Sequence, residues 1–277
     1  MKTVLAFLAL MLTACSAHDD TCQQTSDALK VCAGTNTVNG IDVSYYQGTI
    51  DWTKVKGSGR AFAIARVSDG ATFNDPKFAQ NWSGMKSAGV IRGVYQFFRP
   101  GQDPIAQANL LVDAIEKLGR EPTDLPPVMD IETADSQSST VVRANMKKWL
   151  DRVEARIGRK PIIYTAAFMS GTIGNGWTAY PLWVANYGTT CPTMPSDWTK
   201  WKFWQSSSTG SVPGISGGVD LDEWNGTLQE LIDWANPMPN PPPMNDAGPG
   251  TPPPTGTQPP PGATTTPPNV TKDPCAP

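Results

Sequence analysis

The run Pro127-Val128-Met129-Asp130-Ile131-Glu132 reads as a strand that ends in acid. Successive side chains of a strand alternate between its faces, so Asp130 and Glu132 share one face and Ile131 takes the other. Two ionisable groups on one face are costly to bury unless they have partners or a task. Packed together, they raise the pKa of one member, and a carboxyl that keeps its proton near neutral pH can protonate a leaving group. A salt-bridged pair or a helix cap is the competing use, with Arg66 as a candidate cation.

Working outward, seven more β-branched or aromatic runs have strand character: Gly40–Tyr46, Phe62–Ser68, Val90–Phe98, Pro161–Ala166, Leu182–Tyr187, Lys202–Ser206 and Val219–Trp224. Helical patterns lie between them. Asp75-Pro76 offers a cap and first position, followed by Phe78, Trp82 and Met85 at helical spacing. Asp103-Pro104 does the same ahead of Ile105, Ala108, Val112, Ile115 and Leu118. A third helix carries Val142, Met146, Trp149, Val153 and Ile157 on one face, whereas 171–179 and 191–199 read as loops. Eight strands with interleaved helices predict an α/β fold, a TIM-like (β/α) barrel with some helices reduced or missing. A doubly wound open sheet is the rival, but Gly40-Ile41-Asp42-Val43-Ser44 is not the glycine-rich phosphate turn that fold places after its first strand.

Barrel closure makes the first and last strands neighbours, so Asp42 and Asp220 are expected to converge with Asp130 and Glu132 at one rim. Tyr95, Tyr164, Trp183, Tyr187 and Trp204 lie in or at the ends of strand candidates. Flat rings can stack on the apolar face of a sugar, and they can equally fill a barrel core. The only histidine is His18, outside the predicted domain, so Ser-His-Asp, Cys-His and His-ligated zinc chemistries lack their imidazole. Carboxylate acid–base work, as in glycosidases, remains. No metal or cofactor is expected. A formal charge of -3 leaves no basic surplus for nucleic acid.

The chain ends have a different character. Lys2 followed by apolar Val4–Leu12 reads as an export signal, too short for a permanent span. Leu12-Thr13-Ala14-Cys15 has the form of a bacterial lipobox, which predicts cleavage before a lipidated Cys15 and a membrane anchor in the cell envelope. An ordinary secretory signal is the alternative. Residues 16–37 read as a spacer, 38–235 as the domain, and 236–277, rich in Pro, Thr and Gly, as a disordered tail. Cys22, Cys32, Cys191 and Cys275 leave three disulfide pairings open, with Cys22–Cys32 the cheapest loop to close.

The ordered series Gly40-Ile41-Asp42-Val43-Ser44, Tyr46-Gln47-Gly48, Phe62–Arg66, Gly93–Phe97, Asp130-Ile131-Glu132, Pro161–Tyr164, Leu182–Tyr187, Phe203-Trp204-Gln205 and Val219–Asp222 resembles glycoside hydrolase family 25, the Chalaropsis-type lysozymes. The resemblance spans nearly the whole domain. It implies a metal-free barrel muramidase acting on peptidoglycan glycan strands at the β-1,4 bond between N-acetylmuramic acid and N-acetylglucosamine. Position by position, Glu132 matches the family's proton donor, and Asp130, Asp42 and Asp220 its other active-site acids. Tyr95, Tyr164, Trp183, Tyr187, Trp204 and Arg66 are the expected substrate contacts. Direct attack by Asp130 would call for a carboxyl separation of about 5–5.5 Å; attack by the substrate's own acetamido group, with Asp130 orienting it, is the other course. Gln96 and Asp222 stand where many members have His and Asn, which predicts altered substrate contacts. A catalytically silent wall-binding barrel and a chitinase-like hydrolase are the competing functions; of the chitinase D-x-x-D-x-D-x-E run only the last part is present.

Overall fold

The computed structural model describes residues 28–236. In chain order the elements are β1 (Thr37–Val43), α1 (Trp52–Gly57), β2 (Phe62–Asp69), β3 (Phe73–Asn74), α2 (Phe78–Ser87), β4 (Ile91–Phe97), α3 (Pro104–Lys117), β5 (Val128–Asp130), α4 (Ser139–Ile157), β6 (Ile162–Thr165), α5 (Ser170–Ile173), β7 (Leu182–Ala185), β8 (Phe203–Gly210), β9 (Val219–Asn225) and α6 (Leu228–Ala235). Sheet order is β1-β9-β8-β7-β6-β5-β4-β2-β3, and a β1–β2 pairing closes eight of the strands into a barrel. β3 is a short antiparallel appendage of β2.

The barrel is mixed. β9 runs antiparallel to both β1 and β8, while the other barrel pairings are parallel. Asp220 therefore sits near the start of its strand, not its end, yet at the same rim as Asp42, its register partner. Helices are reduced where the sequence lacks periodicity: α5 is a single turn, and no helix joins β7 to β8.

Strand alternation divides the core in two. Phe62, Ile64, Val128, Ile162, Tyr164, Trp183, Phe203 and Trp224 fill the barrel. The intervening residues, among them Ala63, Ala65, Val94, Met129, Ile163 and Val184, pack outward with the helical stripes of Met85, Val112, Met146 and Trp149. Gly40 pairs with Phe62, and it is glycine because a Cβ there would lie 2.3 Å from the Phe62 ring. Leu231 and Ala235 of α6 join the interior cluster, so that helix covers the end opposite the acids. The sequence reading names no helix there, although Thr227 and Glu230 form a capping box.

Three local expectations change. α2 begins at Phe78 rather than at Pro76; the Asp75 carboxylate accepts from Lys77 N but spends its other oxygen on Tyr45 N and Arg66. Ile105 of α3 and Leu118, its C-terminal cap, are exposed, and Leu111 takes the core position between them. The described part of the expected spacer is bound to the barrel: Lys30 bridges Thr193, and Cys32 forms a disulfide with Cys191. Cys32 is therefore not paired with Cys22. Cys15, His18, Cys22, Cys275 and nearly all of the tail lie outside the described residues. Among the described residues no helix is long and apolar enough to cross a membrane.

Candidate active site

β5 ends at Asp130, and its neighbours hold the chain beyond it. Phe98 N donates to Asp130 O at 2.8 Å, Ile131 N donates to Tyr164 O at 3.0 Å, and Thr165 Oγ1 donates to Ile131 O at 2.9 Å. Ile131 is thereby fixed in the outer core, and Asp130 and Glu132 are turned to the opposite side. Asp130 is buried, and Glu132 is exposed at the mouth. Their carboxyls are close enough that each shifts the titration of the other.

A polar chain crosses from these strands to β1. The hydroxyls of Tyr164 and Tyr187 both donate to Gln205 Oε1, and Gln205 Nε2 donates to Asp42 Oδ2 at 2.6 Å. Below them Trp183 Nε1 donates to Asp222 Oδ1 at 3.0 Å, and the Trp183 ring meets Tyr164 edge-on at 4.7 Å. Tyr95 also faces this space.

The electrostatics follow from crowding acids in a poorly hydrated place. Burial first, and then the Asp220 charge, raises Asp42 well above the ordinary carboxylate range. Burial and then the Glu132 charge do the same for Asp130. Burial with the charges of Asp42 and Asp220 raises Asp222. Asp220, half-buried, is pushed up to about 6 by burial and by Glu132. Burial raises Glu132, while the hydrogen bond with Asp130 pulls it back down. All five are pushed toward the protonated form, and because their charges interact they titrate as a set.

Arg66 lines the cleft but does not neutralise the acid pair. Its Nε donates to Asp75 at 3.0 Å, with both side chains buried, and its guanidinium lies beside the rings of Tyr45, Tyr46 and Phe73. It thus braces an aromatic rim on which Tyr46 is 72% exposed.

These groups surround a cleft of about 250 Å³. A second, more apolar hollow of about 440 Å³ adjoins it, lined by Ala166, Phe168, Asn186 and Thr193, and Glu132, Tyr164 and Tyr187 border both. Glu132 stands at the junction. Among the described residues no group of three or more His, Cys, Asp or Glu side chains is arranged to hold a metal ion.

Of the ten expected site residues, Asp42, Asp130, Glu132, Asp220, Tyr95, Tyr164, Trp183, Tyr187 and Arg66 line the cleft, and Trp204 does not. Trp204 is 5% exposed in the outer core, donates to Asn186 O and packs against Trp201. Its neighbour Gln205 is the residue that faces the site, one step away on a strand of period two. Gln96 likewise points outward and is fully buried. It donates to Ser68 Oγ and Gln107 O and accepts from Trp149 Nε1, so it braces barrel to helix and does not alter substrate contacts. Asp222 is buried under Trp183, also away from the cleft lining. The sequence reading assigned no site role to Gln205, Ser44, Tyr46, Gln47 or Phe168. For Gln205 the signal was its phase with Phe203; for Tyr46 and Phe168 their burial state was not legible.

The family profile for Glycosyl hydrolases family 25 matches residues 41–215. The chain belongs to glycosyl hydrolase family 25. This family 25 barrel is similar to Lysozyme M1 of Streptomyces globisporus, 37% identical over 215 residues that cover 74% of this chain and 73% of that protein. It is similar to the N,O-diacetylmuramidase of Chalaropsis sp., 30% identical over 203 residues, 66% of this chain and 96% of that one. The crystal structure of the bacterial lysozyme from Streptomyces coelicolor superposes with a TM-score of 0.68 at 38% identity, covering 73% of this chain and 99% of that one. The family 25 barrel is a glycoside hydrolase, and its acids occupy the one rim that α6 leaves open.

Proposed function

We propose that this enzyme is a lysozyme that hydrolyses the β-1,4 bond between N-acetylmuramic acid and N-acetylglucosamine in peptidoglycan, with Glu132 as proton donor. The observation that carries the reading is the position of Glu132: open to solvent at the mouth, with a raised pKa, beside buried Asp130, and at the junction of two hollows with room for sugar on either side of a scissile bond. The kinship with Lysozyme M1 and the Chalaropsis enzyme supports the same substrate.

Glu132 gives its proton to the bridging oxygen as the C1–O bond breaks. Asp130 lies beside Glu132 on the same side of the strand end, buried and with its proton held partly by the Glu132 charge. That proximity favours a supporting role. The acetamido oxygen of the bound sugar attacks C1, and the Asp130 carboxylate orients the acetamido N–H and offsets the positive charge on the ring. Water then loses a proton to Glu132, adds at C1 and releases the acetamido group. Asp42, held by Gln205, and Asp220 line the floor and rim beside the reacting sugar. Tyr95, Tyr164, Trp183, Tyr187 and Arg66 shape the sugar site. Export, with anchoring to the cell envelope through lipid on Cys15, completes the proposal; radiolabelled palmitate incorporated by the native chain and lost in Cys15→Ala tests it.

Purified peptidoglycan treated with the protein is expected to gain reducing ends, and mass spectrometry of the fragments should place N-acetylmuramic acid at the new end. Glu132→Gln keeps size and hydrogen bonding but cannot donate the proton in question, so the rate should fall by about 10²–10⁴-fold. Wall binding without release of reducing ends by the native protein would leave a silent binding barrel instead, and N-acetylglucosamine at the new end would refute the bond assignment.

A further inference from the structure

The connection from β7 to β8 has no helix to support it, yet it forms one wall of the hollow beyond Glu132 through Asn186 and Thr193. What holds that wall is a segment from the other end of the domain. Met194 N donates to Leu29 O at 2.8 Å and Val31 N donates to Pro192 O at 3.1 Å, so that Lys30 and Thr193 pair as an antiparallel bridge. The Cys32–Cys191 disulfide locks the pair across a sequence separation of 159 residues. Trp201 Nε1 adds a bond to Val31 O at 2.7 Å. Thr193 N in turn donates to Asn186 Oδ1 at 2.8 Å, which carries the restraint to the residue nearest Tyr187. The segment also borders a neighbouring hollow: Ala28 and Leu29 line a third one, about 380 Å³, that shares Ala167 with the second.

We propose that Ala28–Cys32 is a disulfide-latched strap that positions the apolar arm of the groove for the glycan on the far side of the scissile bond from the acid-lined cleft. This rests on the reading of the cleft as a glycan-cutting site. The acids and their hydrogen-bonding partners lie on barrel strands or just beyond their ends, and none of them bonds to the strap. Releasing the latch therefore loosens the hold on sugar without touching the proton transfer. Cys32, Cys191, Val31 and Trp201 act through the wall, so they are positioning residues. Cys32 is exposed, which leaves the disulfide open to a reductant.

The test compares the native protein, the native protein reduced with a phosphine, and the Cys32→Ser/Cys191→Ser double variant. Amide hydrogen exchange of 186–194 reads the latch without substrate, and steady-state kinetics on solubilised peptidoglycan reads its use. Exchange in 186–194 should quicken in both unlatched forms while the barrel strands stay protected. KM should rise about tenfold, equivalent to about 1.4 kcal/mol, with kcat within about twofold of native. Trp201→Phe, which removes only the Val31 tether, should give a smaller rise in the same direction. Unchanged exchange in 186–194, or faster exchange with KM unchanged, overturns the strap's role; so does a fall in kcat with KM constant, which would mean general damage. If the native protein releases no reducing ends, the functional reading fails on its own. Exchange and sedimentation binding to intact peptidoglycan then still decide the strap: weaker binding when unlatched supports it, equal binding ends it.

Discussion

Replacing Asp220 with Asn should make the protein more stable and less active, by an amount that depends on pH. Asp220 is pushed from its ordinary 3.8 up to about 6, by burial first and by the Glu132 charge second. In the folded state it holds its proton between about pH 4 and pH 6, where the unfolded chain has lost it. Stability therefore falls as pH rises through that window; the cost is complete above about pH 6 and absent below about pH 4. A shift of about two units corresponds to ~3 kcal/mol at 1.36 kcal/mol per unit. Because the side chain is only half-buried, solvent screening reduces the recoverable part to about 1–2 kcal/mol. Asn occupies the same space without the charge, and its removal also eases Asp42 and Asp222, whose shifts both include Asp220. Guanidinium unfolding of native and variant protein at pH 8 and pH 4 measures the difference, with unchanged m-values as the check that only stability has moved. We expect the variant to gain about 1–2 kcal/mol at pH 8, to gain nothing at pH 4, and to lose at least about tenfold in reducing-end release, the exchange of stability for activity common at functional sites. A loss of stability at pH 8 would show that the fold stabilises the Asp220 carboxylate, and a gain equal at both pH values would show that its charge is not the cause; either result ends the account of the acid cluster.

Gln205→Leu removes two phenol acceptor contacts and the one amide donor to Asp42. A loss of about 2–4 kcal/mol at neutral pH is expected from leaving these buried groups unsatisfied, less at acid pH, where Asp42 is protonated, and a denaturation series against pH checks it. Arg66→Ala leaves Asp75 buried without its cation, so it should destabilise by about 3–5 kcal/mol; Arg66→Ala/Asp75→Ala together should recover much of that in thermal unfolding. Trp204→Phe removes a bond to Asn186 O in the outer core and should lower stability by about 1 kcal/mol while leaving kcat within about twofold, whereas a substrate-stacking role would show as a large rise in KM. Glu132→Gln, described above, tests the proton donor.

The order of motifs in the chain determined a good deal by itself. Eight strand runs between helical stripes specify an α/β fold, because each period dictates which face must be covered, and the absence of a glycine-rich phosphate turn after the first strand favours the barrel over a doubly wound sheet. The acids at 42, 130, 132 and 220 were visible as charges misplaced on apolar strands, and the lack of a domain histidine narrowed the chemistry before any geometry was known. What the sequence left undecided depended on contacts between distant residues. A one-residue difference in phase separates Trp204 in the outer core from Gln205 in the cleft, and an aromatic ring suits either place. Arg66 was a plausible mate for the acid pair until folding brought Asp75 to it, and Gln96 was a plausible substrate contact until Trp149 and Gln107 enclosed it. Cys32 looked nearest to Cys22, but the latch to Cys191 spans most of the domain. Composition and periodicity act along the chain and can be read there, whereas a hydrogen bond, an ion pair or a shared proton requires two groups within a few ångströms, and only barrel closure decides which groups those are.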